Sequence, residues 1–200
     1  MLLFALAGAL VNLFVFVLVP FGLYVVWHKW RHKRPFAEIA RRAGLTWVVD
    51  RYLGYCLALA ALQIVILLVW SPSIEVLTRE GSPQRSFVGL GLTGTSVAMA
   101  LLYGMVKTGF AEELFFRGLI AGSLSRRLPL RWANVVQATI FLLPHLLVLV
   151  FAPELGWLLL LIFAVGLFLG WVRIRSGSIL GPWLLHGVLN TVVCLVVAAG

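Results

Sequence analysis

Two hundred residues with 62% hydrophobic content, a mean hydropathy of +1.05 and only 12% charged side chains lie far outside the composition of a soluble globular chain. The net charge of +9 does not imply a nucleic-acid partner: Lys29, Arg31, Lys33 and Arg34, and again Arg126, Arg127 and Arg131, sit between apolar runs, as loop charges flanking membrane spans do. The chain reads as all-α, a polytopic transmembrane helix bundle of about six spans with a short interfacial amphipathic helix.

Residues 1–27 exceed the roughly 20 needed to cross a bilayer. They lack a basic leading segment and a small-residue cleavage site, so they read as a retained span rather than a signal peptide. The basic cluster 28–34 should stay on the cytoplasmic side, which puts the N-terminus outside. Trp27, Trp30, Trp47, Trp70 and Trp132 read as interface anchors, and His28 and His32 as solvated interface residues. Pro35 ends the first helix. Residues 36–45 follow as an amphipathic stretch, with Phe36, Ile39, Ala40 and Ala43 set against Glu38, Arg41 and Arg42, suited to lying on the inner surface.

Residues 47–70 form the second span, with Asp50 and Arg51 at its inner mouth. The linker 71–87, with two prolines and Glu75 and Glu80 balancing Arg79 and Arg85, reads as an outside loop. Residues 1–87 thus form an N-terminal unit of two spans, and 88–200 a helical core. Within the core, 88–95 is a glycine-rich entry segment and 96–124 a long inward span; to its Lys107 the sequence assigns no role. Residues 132–151 return outward carrying His145, and the turn 152–155 leads into the span 156–172, which ends before Arg173 and Arg175. Its Gly166 and Gly170 form a GxxxG pattern that allows close helix packing. The last span, 179–199, carries His186 and Asn190 and leaves both termini outside. Cys56 and Cys194 stand inside apolar runs without CxxC spacing and read as buried free thiols.

The polar residues inside the spans are the informative ones. A charge in the hydrocarbon costs at least ~2.5–3.5 kcal/mol, so Glu112, Glu113 and Arg117 on one segment need compensation. Glu113 and Arg117 are four apart on one helical face, acid first, as an ion pair prefers. Glu112 lies about 100° around the helix and lacks a local partner. Depth then relates the helices: Glu112 lies ~21 Å from Arg126, His145 ~21 Å from Arg131 and His186 ~17 Å from Arg175 at the helical rise. Three polar positions on three helices therefore sit at one level. Phe141 precedes His145 by four and Asn190 follows His186 by four, each pair on one face. Pro144 should kink its helix and so aim His145.

Glu112-Glu113-x-x-x-Arg117, then Phe141-x-x-x-His145, then His186-x-x-x-Asn190 resemble the three motifs of the CPBP intramembrane proteases, which include type II CaaX prenyl endopeptidases and bacterial Abi-type proteins. Phe115-Phe116-Arg117-Gly118 and the stretch from Gly170-Trp171 to Ser178 fit the same family, and the resemblance spans roughly residues 88–193. It implies hydrolysis of a peptide bond in a membrane-embedded or lipid-modified protein or peptide, in an integral protein of a prokaryotic plasma membrane. Glu112 would activate a water also held by His145, His186 and Asn190 would stabilise the oxyanion, and Glu113, Arg117 and Phe141 would support them. Asp50 is the only aspartate, which excludes a two-aspartate protease, and no HExxH motif is present. No cofactor is expected: two histidines and two glutamates are a zinc-ligand set in type, but His145 and His186 lack the paired spacing of a helix-borne site, so zinc is disfavoured. The alternative function is non-catalytic, a membrane scaffold or immunity factor, or a small proton-linked transporter using the same buried charges.

Overall fold

A computed structural model describes residues 1–69, 78, 79, 82–151 and 153–200; Trp70, Glu75, Glu80 and Ala152 lie outside the described residues. Seven helices carry the chain, with no strand among the described residues. They are α1 (Leu2–His32), α2 (Phe36–Arg42), α3 (Arg51–Val69), α4 (residues 94–124), α5 (Leu130–Val150), α6 (Leu158–Ser176) and α7 (Leu180–Ala199). Five of them, α1, α3, α5, α6 and α7, are long and apolar enough to cross a membrane. The charged α4 is a continuous helical run among them.

Local chemistry sets the boundaries. In α1, Pro20 lacks the N–H that would close a regular turn, and residues Leu13–Leu18 just before it take up wide π geometry instead of breaking. The helix stops where Lys33 turns left-handed (φ 53°), and Pro35 then caps α2. A reciprocal capping box starts α4: the Thr93 hydroxyl accepts from the Ser96 N–H at 3.2 Å and the Ser96 hydroxyl accepts from the Thr93 N–H at 2.8 Å. The helix therefore begins at Gly94, two residues before the apolar run predicts. Gly89 and Gly91, both at positive φ, make the turns that lead into it.

Burial decides the arrangement. Of the five apolar spans α7 is the most enclosed, with 39% of its hydrophobic window buried against 11% for α1 and α3. It packs along α4 and α3, while α5 packs on α6. The GxxxG of α6 serves that second contact. A Cβ on Gly170 would lie 2.0 Å from Gln137 Nε2, and the fully buried Gln137 donates to the Gly166 carbonyl at 2.8 Å.

Three parts of the bundle depart from the sequence reading. Part of the apolar face of α2 meets protein: Ile39 and Ala43 are buried, and the Ala43 carbonyl fills the space a side chain on Gly118 would need, while Phe36 of the same face stays 54% exposed. Arg173 is not a loop charge but a buried one, donating to the Arg42 carbonyl at 2.8 Å. Phe87, placed in an outside loop, is buried against Met99, Cys194 and Val197 and plugs that end of the α4–α7 contact. In each case hydropathy separates membrane from water, whereas burial depends on a partner distant in sequence. Cys56 and Cys194 are buried and free, as the sequence predicts.

Candidate active site

The site rests on how closely α4 and α7 approach. Small residues make this possible: a Cβ on Gly104 would lie 2.2 Å from Thr191 Oγ1, and one on Gly109 2.9 Å from the Gly187 Cα. Backbone meets backbone, as small-residue interfaces allow in membranes. The α4 helix is also wider than regular, with π geometry over Leu102–Phe110 and again over Glu113–Ala121. Such insertions are frequent at functional sites because they re-aim the side chains around them. Here they flank Ala111 and Glu112.

Glu113 is the centre of the polar contacts. Its Oε1 accepts from Arg117 Nη1 at 3.0 Å and pairs with His186 Nδ1 at 2.9 Å, joining α4 to α7. Glu113 and Arg117 are both 0% exposed. Arg117 also lies over the Phe141 ring, its guanidinium carbon 3.9 Å from the centroid, so a cation–π contact supplements the single ion pair. Phe141 in turn packs its edge on Phe116 (5.1 Å) and lies 6.4 Å from the His186 ring. Glu113, Arg117, Phe141 and His186 thus form one connected group drawn from three helices.

His145 joins this group through Phe141. The α5 helix leaves regular α geometry at Leu143 and runs as a 3-10 turn over Leu143–Leu147, around Pro144 with its missing N–H. His145 Nδ1 then meets the Phe141 carbonyl at 2.8 Å, with the two rings 4.7 Å apart. A carbonyl can only accept, so Nδ1 carries the proton and Nε2 of the neutral ring is a free acceptor. His186 is oriented in the same way by a carboxylate. With Nδ1–H directed at Glu113, its Nε2 accepts when the ring is neutral and donates only as imidazolium.

Asn190, one turn beyond His186, donates to Thr108 Oγ1 at 2.9 Å. The Thr108 hydroxyl is itself directed to the Tyr103 and Gly104 carbonyls (3.0 and 3.1 Å). Its lone pairs therefore face the amide, which fixes the amide orientation and leaves a second Asn190 N–H free. Glu112 differs from its neighbour. It is half-buried, and among the described residues it makes no hydrogen bond or ion pair. Among the described residues no three His, Cys, Asp or Glu side chains form a group able to hold a metal ion.

Sequence reasoning did not single out Thr108, Gly104, Gly187 or Gln137. The signal was present: Thr108 lies four before Glu112, Gln137 four before Phe141, and Gly187 beside His186, so each shares or adjoins the face of a motif residue. Lys107 also acquires surroundings. Asn12 of α1 donates to its carbonyl at 3.2 Å, and its amine lies 5.3 Å from the Tyr103 ring centroid.

Residues 94–192 match the protein family described as type II CAAX prenyl endopeptidase Rce1-like. No curated protein and no solved structure matches the chain. The matched segment opens with the first residue of α4 and closes just beyond Asn190, so it contains all three motifs and the contacts among them. On that match residues 94–192 belong to the CPBP family, the CaaX-type intramembrane proteases, and the chain is an integral membrane protein.

Proposed function

We propose that the protein is an endopeptidase that cleaves a membrane-associated, lipid-modified substrate by attack of a water activated by Glu112. The observation that carries this is the inequality of the paired glutamates. Glu113 is tied through Oε1 to both Arg117 and His186, whereas the adjacent Glu112, half-buried, pairs with no side chain among the described residues. An uncommitted, partly desolvated carboxylate is the form a general base takes.

In this reading Glu112 removes a proton from water while the Nε2 lone pair of His145 accepts the other O–H and holds the nucleophile. The hydroxide oxygen bonds to the scissile carbonyl carbon. The electron pair displaced onto oxygen is met by the free N–H of Asn190 and by Nε2–H of His186 as imidazolium, stabilised by the Glu113 carboxylate. Collapse of this tetrahedral intermediate breaks the C–N bond, and Glu112 returns its proton to the leaving amine. General base catalysis contributes typically 10²–10⁴-fold, and each oxyanion donor about 10²–10³-fold. No metal enters any step. The same reading divides the chain into the two-span unit 1–87 and the catalytic core 88–200 and keeps both termini on the outer face.

Cleavage of prenylated CaaX-type peptides by purified protein in proteoliposomes tests it. Wild type should cleave with chelator present, and Glu112→Gln should lose at least ~10²-fold in rate. Activity abolished by chelator and restored by zinc would overturn the metal-free mechanism, and full activity in Glu112→Gln would overturn the base assignment.

A further inference from the structure

A polar cavity lies away from the motifs, where α1, α2 and the end of α4 meet. It has a volume of about 240 Å³, and four guanidinium groups, Arg34, Arg42, Arg126 and Arg127, line it together with the imidazoles of His28 and His32. Glu38 is the one acid paired with these groups among the described residues, bridging Arg34 and Arg42. Arginines do not converge without cost, since like charges repel where water is partly excluded. Three of the four are nevertheless held in place, Arg34 and Arg42 by Glu38 and Arg126 by neighbouring oxygens. Arg126 donates to the Tyr24 hydroxyl at 2.9 Å, to the Ser123 hydroxyl at 3.2 Å and to the Arg42 carbonyl at 3.3 Å. The same carbonyl is fixed by Arg173 from α6. Arg34, Arg42 and Arg126 are thus prearranged and, with the exposed Arg127, leave an excess of positive charge around an open space.

The surroundings indicate the counter-charge. The cavity stands where the apolar run of α1 ends, and Trp27, 54% exposed, forms part of its wall. Directly along α1, Leu23 and Val26 are 67% and 60% exposed, an apolar surface that in a membrane spanned by α1 faces acyl chains. A ligand suited to both features is anionic at one end and hydrocarbon at the other. We propose that this cavity binds the phosphate group of an anionic membrane lipid, seated among Arg34, Arg42, Arg126 and Arg127 with its acyl chains along the outer face of α1. Guanidinium forks match phosphate oxygens in geometry as well as charge, and basic pockets between membrane helices bind such headgroups. The bound phosphate offsets the repulsion among the arginines and ties the end of α4, the helix bearing Glu112 and Glu113, to α1 and α2.

The test uses the full chain, delipidated in a neutral detergent, with native mass spectrometry reading bound lipid. Phosphatidylglycerol and phosphatidylcholine of identical acyl chains are offered separately, and inorganic phosphate is added as competitor at constant ionic strength. Wild type should retain phosphatidylglycerol in preference to phosphatidylcholine. The double variant Arg34→Gln/Arg127→Gln should bind phosphatidylglycerol about 30-fold more weakly, the loss expected for two basic residues at a membrane surface. Arg34→Lys/Arg127→Lys should keep most of the binding. Equal retention of both lipids by wild type overturns the proposal without reference to any variant, as does an unchanged preference in a double variant with wild-type helicity and elution. Displacement of phosphatidylglycerol by millimolar phosphate would overturn the lipid as occupant and assign the site to free phosphate.

Discussion

Glu113→Gln and Glu112→Gln make the same chemical change at adjacent positions, and the structure requires unequal outcomes for stability. Arg117 is 0% exposed, its ion pair is Glu113, and its Nε and Nη2 have no protein partner. Neutralising Glu113 therefore leaves an uncompensated buried guanidinium, a loss of about 3–5 kcal/mol. It also weakens the hydrogen bond to His186. For a chain of this length each kcal/mol moves the midpoint by about 2–4 °C, so Glu113→Gln should lower thermal stability in detergent by roughly 6–20 °C. Glu112 is half-buried and unpaired, so Glu112→Gln should remain within about 1 kcal/mol of wild type. Adding Arg117→Met to Glu113→Gln removes the stranded charge and should recover much of the loss, because apolar groups replace buried ion pairs at little cost. Thermal unfolding followed by size-exclusion fluorescence reads all four proteins. Equal destabilisation by the two glutamine variants, or no recovery in the double variant, would refute the assignment of structural and free carboxylates.

The helix approach beneath the site makes a second prediction. Gly104→Ala puts a methyl 2.2 Å from Thr191 Oγ1 and 2.5 Å from the Thr191 backbone nitrogen, and should cost about 3 kcal/mol; Gly54→Ala, with nothing within 4 Å, should change stability by less than ~0.5 kcal/mol. Thr108→Val removes the acceptor that orients Asn190. It should cost about 1–3 kcal/mol in stability and lower kcat more than it raises KM, since the oxyanion forms only along the reaction path; a pure KM effect would contradict the role given to Asn190. Cys56 and Cys194 should resist maleimide in the folded protein and react fully after denaturation. Rapid labelling of the native protein would show that the α3–α7 or α4–α7 contact opens.

The spans were legible because a bilayer requires about 20 apolar residues per crossing and the chain punctuates them with basic loops. Pro35 and Pro144 announced their breaks through their missing donors. The motif residues could be related across helices because depth is a simple product of rise and residue number, and Glu113 indeed meets His186. That product has no angular information. It could not show that α4 is wound wide on both sides of Glu112, since π geometry leaves no hydrophobic period to read. Thr108 and Asn190 are 82 residues apart, and Gly104 meets Thr191 only because both are small. Arg173 and Phe87 were misplaced for a related reason. Each follows or precedes an apolar run as a loop residue would, and only the partners, the Arg42 carbonyl and the end of α7, bury them.

Protein termini in membranes from cells carrying wild type or Glu112→Gln, compared by N- and C-terminal peptide mapping at matched expression, test the central claim most directly. The account predicts new termini, at one or a few cut sites in membrane-associated proteins, that appear with wild type and disappear with Glu112→Gln although the variant is stable and inserted. Identical termini in the two samples, together with rescue of a deletion phenotype by Glu112→Gln, would contradict it and leave the buried charges to a scaffold or a proton-linked transporter.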